Sequence, residues 1–244
     1  MKLQIFDTRG DLFQGAAQEF ANRAENSVKD HGRFCVALSG GSTPKGLFTL
    51  LATGGAFSNI SWDKVFLFWG DERHVPPDHA DSNYRMTEES LLSKVPIPSA
   101  NIFRIKAETE HADAAAREYE QTLKICFGLR PGELPRFDLV LQGMGSEGHT
   151  ASLFPGSPAL EEQGRLVVAP WVEQFNTYRI SLTFPVFDNA ACVLFLVAGK
   201  DKAPALKDVF ENPGNLPASR IRPTHGELLW FVDRDAASAL ESAA

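Results

Sequence analysis

Phe34-Cys35-Val36-Ala37-Leu38-Ser39-Gly40-Gly41-Ser42-Thr43-Pro44 decides the fold class. Five apolar residues in succession, with no polar alternation, are what a strand shows when both of its faces are covered, as in a parallel sheet. The run stops at a serine and two glycines. Thr43 or Ser42 then suits a helix N-cap and Pro44 the first helical position, while Leu47, Leu50 and Leu51 carry an apolar face until Gly54-Gly55 ends it. Such a strand, glycine turn and helix can hold a phosphate, because glycines let the main chain approach the oxygens and the helix dipole favours an anion. The pattern is neither G-x-x-x-x-G-K-[ST] nor G-x-G-x-x-G, so a nucleotide is not implied. An ordinary tight turn uses the same residues, and the loop needs further evidence from its neighbours.

Outward from this stretch the same grammar repeats. Leu3 to Phe6 reads as a strand, and Leu12, Phe13, Ala16, Ala17, Phe20, Ala21, Ala24 and Val28 recur at helical spacing. Val65 to Trp69, Ile102 to Ile105, Leu139 to Leu141, Leu166 to Ala169, Arg179 to Thr183, Ala191 to Val197 and Leu228 to Val232 read as further strands. Helices are expected after Asp81-Ser82-Asn83, from Ala112 to Cys126 with Gly128 closing it, and after Gly199, while a short helix or tail follows Ala236. The alternation predicts an α/β protein with an open, mostly parallel Rossmann-like sheet and helices on both faces, residues 1–244 forming one domain. The sheet is expected to continue through the strands near 166 and 179.

Composition narrows the function. Lys and Arg number 24 against 31 Asp and Glu, a net charge of -7, with no basic stripe; this argues against nucleic acid but leaves room for a local pocket for a small anion. The start of the chain lacks the apolar core of a signal peptide, and the longest apolar run, Ala190 to Ala198, is too short for a membrane span. A cytoplasmic protein without membrane contact is expected. Cys35, Cys126 and Cys192 are odd in number and form no C-x-x-C pair, which fits reduced, buried thiols. His74 and His79 lack H-E-x-x-H spacing, so no metal site is indicated.

The chemistry gathers at strand exits. After Leu139-Val140-Leu141 comes Gly143-Met144-Gly145-Ser146-Glu147-Gly148-His149-Thr150-Ala151-Ser152-Leu153-Phe154-Pro155, which sets a histidine among glycines. Histidine is the side chain most easily poised to move a proton near neutral pH; the plainer alternative is a turn with an incidental surface imidazole. Asp71 and Arg73 leave the Val65–Trp69 strand two residues apart, so both can face one cleft, or else they form a surface ion pair. Lys202 lies in the first turn of a helix, where the dipole disfavours a cation unless it meets a bound anion. In a parallel sheet the exits at Ser39, Asp71, Gly143 and Gly199 lie along one edge, where ligands bind. They predict a cleft for a sugar-phosphate-like molecule.

These blocks, together with Trp230 near the end, stand in one order along nearly the whole chain, and in that order they resemble the 6-phosphogluconolactonase family. Its superfamily also contains glucosamine-6-phosphate deaminase. The resemblance implies hydrolysis of 6-phospho-D-glucono-1,5-lactone to 6-phosphogluconate in the oxidative pentose phosphate pathway, with no metal or organic cofactor. It implies a phosphate loop at Ser39, Gly40, Gly41 and Thr43 with Lys202, the Asp-Glu-Arg arginine at Arg73, and the general base at His149. Arg179 is a further candidate for the phosphate, and Asp71 for orienting or charge-stabilising His149 or Arg73. One departure is visible: Glu147-Gly148-His149 stands where the family usually has Asp-Gly-His, and the extra methylene keeps the charge but moves it. A covalent route through Ser146 or Ser152 lacks G-x-S-x-G. The deaminase reading meets Phe154 where that family has its catalytic glutamate, and the presence of both Arg73 and His149 speaks against a non-catalytic sugar-phosphate-binding protein, because binding a phosphate alone needs no neutral base. A monomer or small homo-oligomer is expected.

Overall fold

The computed structural model describes residues 1–240. Its strands are β1 (Lys2–Phe6), β2 (Phe34–Leu38), β3 (Val65–Trp69), β4 (Asp71–Arg73), β5 (Ile102–Phe103), β6 (Leu139–Gln142), β7 (Val167–Val168), β8 (Trp171–Val172), β9 (Thr177–Leu182), β10 (Cys192–Val197) and β11 (Glu227–Asp233). The principal helices are α1 (Arg9–His31), α2 (Ser42–Thr53), α3 (Asn83–Ser90), α4 (Ala112–Phe127), α5 (Phe184–Asp188) and α6 (Ala203–Glu211). Seven strands form one sheet in the order β1-β11-β10-β6-β2-β3-β5, every pair parallel. All residues of β2 and β10 are buried, so the centre of the sheet is covered on both faces, as their unbroken apolar runs require.

From β2 the chain winds outward through β3 and β5, then returns to the other side of β2 with β6 and continues to β10 and β11. The strand order therefore reverses between β2 and β6. A crevice opens at such a switch point, outside the carboxyl ends of the two strands. Here those ends are Ser39-Gly40-Gly41 and Gly143-Met144-Gly145.

The strands near 166 and 179 do not extend the main sheet. β9 pairs antiparallel with β4, β7 and β8 to make a second, smaller sheet, and β8 was not legible in the sequence. Gly70 is the hand-over point: its N–H still bonds Leu38 of β2 at 2.8 Å, while its carbonyl accepts the N–H of Leu182 in β9 at 2.9 Å. The chain thus leaves one sheet and enters the other within a single residue. The strand expected over 102–105 is shortened to Ile102–Phe103, because β3 offers it only Leu67 and Phe68 as partners.

The N-terminus of α2 also differs from expectation. Gly41 is the N-cap, at φ 103°, and no side chain caps the helix; Ser42 and Thr43 occupy the first two helical positions and Pro44 the third. Proline lacks an N–H, so at this position it leaves no donor unsatisfied. The main-chain amides of Ser42 and Thr43 remain free to meet a ligand.

Beyond the end of β5, the edge of β3 is completed by a side chain. The Tyr119 hydroxyl, from α4, accepts the Trp69 N–H at 2.8 Å and donates to the Trp69 carbonyl at 3.0 Å. Tyr119→Phe would strip both buried main-chain groups of their partner, at about 1–3 kcal/mol each. A loss of ~2–6 kcal/mol is expected, read as a lower urea midpoint at unchanged m-value; an unshifted midpoint would show that water or a rearranged strand replaces the hydroxyl. The three cysteines are free, and burial pushes the thiols of Cys35 and Cys192 up to about 12, which makes them unreactive. Among the described residues no helix is long and apolar enough to cross a membrane.

Candidate active site

The predicted convergence of strand exits is present. One open cavity of about 220 Å³ is lined by Ser39, Gly40, Gly41 and Thr43 from the β2–α2 turn, Asp71 and Arg73 from β4, Gly143, Gly145 and His149 after β6, and Lys202 after β10. This lies below the usual range of roughly 300–1,000 Å³ for ligand pockets, a size for a phosphorylated monosaccharide and not a dinucleotide. Arg179, the further candidate for the phosphate, does not line it. Trp230 does not either; it is buried in the core, stacked on Phe195 at 3.9 Å.

His149 is positioned by a knot of local bonds. Its carbonyl accepts the Gly145 N–H at 2.9 Å, the Gly148 N–H bonds Gly145 at 3.0 Å, and Gly148 takes φ 81°, a conformation suited to glycine. Buried Thr150 next door ties the loop to the strand exit through Gln142 Oε1 and the Gly143 carbonyl, both at 2.9 Å. The imidazole stacks on Phe154 at 4.1 Å between ring centres. Glu147 Oε1 lies 2.9 Å from Nδ1. A carboxylate can only accept, so Nδ1 carries the proton and Nε2 keeps its lone pair, with no protein partner among the described residues.

The longer side chain at 147 therefore does not forfeit the histidine: it folds back across the Gly148 turn and reaches it. Burial holds the His149 pKa below its ordinary value, against the opposing pull of Glu147 and Asp71, so the ring is neutral at pH 7. For Glu147, burial alone would raise the pKa, but its own N–H, the adjacent His149 and the Gln174 amide outweigh it and keep the group an anion.

Asp71 is buried and bonds neither His149 nor Arg73. Its Oδ2 accepts from Ser152 Oγ at 2.7 Å, and Asn83 Nδ2 donates to its carbonyl at 2.9 Å. Ser152 is thereby spent on Asp71, and no hydrogen bond links it to the histidine, as a serine nucleophile activated by that base would require. Glu72 was not legible as a functional residue, yet it shapes the site. Its buried carboxylate accepts the N–H groups of Arg73 (2.7 Å), Asn83 (2.8 Å) and Tyr84 (2.8 Å) and the Ser82 hydroxyl, pinning β4 to the start of α3. Its partners lie up to twelve residues away, beyond any local sequence signal. Asn83 was read only as part of a capping segment, but it lines the cavity and packs against Gly40, where a Cβ would come within 1.9 Å of its Oδ1.

Two cations face the cavity. Arg73 donates through Nη1 to the Asp81 carbonyl, and Lys202 has the more exposed Asp201 at 3.1 Å as its carboxylate neighbour. Arg179 sits directly opposite Arg73 in the β4–β9 register, with its guanidinium over the Phe175 ring at 5.0 Å. Burial, then the neighbouring Arg73 charge, holds its pKa below the ordinary value. It stands behind Arg73 and outside the cavity. No cluster of three or more His, Cys, Asp or Glu side chains among the described residues is arranged to hold a metal ion.

A helix start with free amides, two cations and a neutral imidazole backed by a carboxylate now share one cleft. A family model described as glucosamine-6-phosphate isomerases/6-phosphogluconolactonase matches residues 7–230. The chain belongs to this family. A 6-phosphogluconolactonase of Nostoc sp. is 42% identical over 221 residues, covering 89% of each chain, and one of Synechocystis sp. is 40% identical, covering 94% of each. Among solved structures, a 6-phosphogluconolactonase from Trypanosoma cruzi superposes with a TM-score of 0.87 at 30% identity, over 98% of this chain and 96% of that one. Within the glucosamine-6-phosphate isomerase/6-phosphogluconolactonase family these relatives put the chain with the lactonases, and it is an enzyme of that kind.

Proposed function

We propose that the protein hydrolyses 6-phospho-D-glucono-1,5-lactone to 6-phosphogluconate in the oxidative pentose phosphate pathway, with His149 as general base. The observation that carries the mechanism is the Glu147–His149 pair, which fixes one tautomer of a neutral imidazole lining the cavity. The 6-phosphate docks at Ser39, Gly40, Gly41 and Thr43, on the free amides at the start of α2, and on Lys202, so that later steps become effectively intramolecular. Water attacks the lactone carbonyl and passes its proton to Nε2 of His149. Arg73 balances the negative charge that develops on the carbonyl oxygen. The ring C–O bond then breaks, the leaving oxygen takes the proton back from His149, and the new carboxyl group ionises. Asp71, whose charge raises the proton affinity of His149, favours the transient imidazolium. Arg179, from behind, adds positive potential beside Arg73.

The chain is read as one cytoplasmic domain, 1–244; a single apolar core running from Leu12 to Ala237 supports the first part. Against the deaminase reading stands Phe154, an apolar ring packed on the base where that chemistry needs a proton carrier. The discriminating experiment offers freshly generated lactone and, separately, glucosamine 6-phosphate. Acid release well above spontaneous hydrolysis, with no ammonia from the amino sugar, is expected. Ammonia release would favour the deaminase, and binding of 6-phosphogluconate without turnover would leave only a sugar-phosphate-binding protein.

A further inference from the structure

The segment between β8 and β9 reaches the base from outside its own loop. Glu173–Phe175 forms a single 3₁₀ turn closed by Asn176 at φ 47°, a left-handed conformation that asparagine tolerates well, and the Asn176 N–H bonds the Glu173 carbonyl at 3.0 Å. Two adjacent side chains of this turn point at the Glu147–His149 pair. Gln174 Nε2 donates to Glu147 Oε1 at 3.2 Å, the same oxygen that accepts His149 Nδ1–H. Phe175 meets Phe154 edge-on at 6.0 Å, and Phe154 in turn stacks on the imidazole. Phe175 is 52% exposed, so the ring is held in solvent largely by Phe154 and the Arg179 guanidinium on its other side.

Glu147 needs such support. A glutamate carries one more rotatable bond than an aspartate, its side chain here is 37% exposed, and within its own loop its other side-chain hydrogen bond is a long one, from Ser146 Oγ at 3.5 Å to Oε2. Left to itself, the carboxylate would sample rotamers that release Nδ1 and with it the tautomer that leaves Nε2 free. We propose that Gln174 is a positioning residue, which pins the Glu147 carboxylate in the rotamer that holds His149 and so offsets the freedom of the longer side chain. The turn it sits on is fixed by Asn176 and by the Phe175 contacts, so a donor on an exposed hairpin is delivered to one place.

The inference rests on the lactonase reading, and its test separates the two. Gln174→Ala and Gln174→Met, the latter keeping the side-chain length without the amide, are each expected to lower kcat about three- to ten-fold with KM changed less than two-fold, because a misaligned base slows chemistry without touching phosphate docking. In a Glu147→Asp background the shorter carboxylate lacks the extra rotor to restrain and draws back from the amide. There the same substitutions are expected to cost less than two-fold. Equal losses in both backgrounds, a loss confined to KM, or no loss at all would each overturn the role. If the unsubstituted protein itself fails to accelerate lactone hydrolysis, the lactonase reading falls first; if it accelerates and the variants match it, only the positioning role falls.

Discussion

His149→Ala is expected to lower kcat for lactone hydrolysis by about 10²- to 10⁴-fold, the usual contribution of a positioned general base, with KM within a few-fold of the unsubstituted protein. KM should hold because the imidazole makes no part of the proposed phosphate site, the β2–α2 turn and Lys202, which also line the cavity. The pH profile makes the assignment specific. The base works as neutral imidazole, and burial lowers its pKa from 6.5, so protonation becomes unfavourable and the acid limb of kcat/KM falls below pH 6.5. The sign follows: above the limb the ring accepts protons and the rate is full, and as pH falls through it the rate drops ten-fold per unit. In the alanine variant the residual rate should lose this limb. Rates of acid release between pH 5 and 8, corrected for spontaneous hydrolysis, decide it. A variant with more than a tenth of the original rate, or with the same limb, would remove His149 as the base and leave the titration to another group.

What the sequence disclosed, and what it withheld, follows the range of the forces involved. Buried parallel strands write themselves into the chain as unbroken apolar runs, because successive side chains point to opposite faces and both faces of β2 and β10 are covered. The positions of Ser39, Asp71, Arg73, His149 and Lys202 at the ends of such runs were therefore legible, and with them the cleft. The second sheet was not: β4 and β8 are too short for a period to register, and the switch at Gly70 depends on β9, more than a hundred residues later. The N-cap was misread for a related reason. Ser42 and Thr43 are good caps by composition, but with Gly41 at positive φ as the N-cap the helix starts two residues earlier, at Ser42 instead of Pro44, and the amides that a cap would have consumed are free. Which carboxylate bonds His149 depends on side-chain reach: Asp71 acts on the imidazole only through its charge, while Glu147 touches it. Asp71 was spent on Ser152, and the longer carboxylate, seen first as a misplacement, supplies the contact to His149.

Gly145→Ala is expected to cost nearly as much as removing the histidine, though it adds one methyl group and touches no reacting atom. A Cβ at Gly145 would lie 2.1 Å from His149 Nδ1, 2.3 Å from its Cε1 and 2.6 Å from Glu147 Oε2, all well inside contact distance. The backbone does not object, since Gly145 is not among the residues with positive φ, and the Gly145–His149 main-chain bond can persist. The side chains must give instead. His149 has Phe154 stacked against it at 4.1 Å, so the ring cannot retreat directly and must swing out of line, breaking its bond to Glu147. A displacement of about 1 Å in a catalytic group costs on the order of 10²-fold, and with the tautomer also released a loss of about 10²-fold or more in kcat is expected, at little change in unfolding midpoint. The mechanism is checked by combining the substitutions. If the methyl group acts only through the base, Gly145→Ala in the His149→Ala protein should slow it by less than about three-fold, because the group it displaces is already gone. Should the double variant instead lose the full product of the two single effects, Gly145 serves the reaction by another route, and the most direct would be its own place in the wall of the cavity, against the substrate.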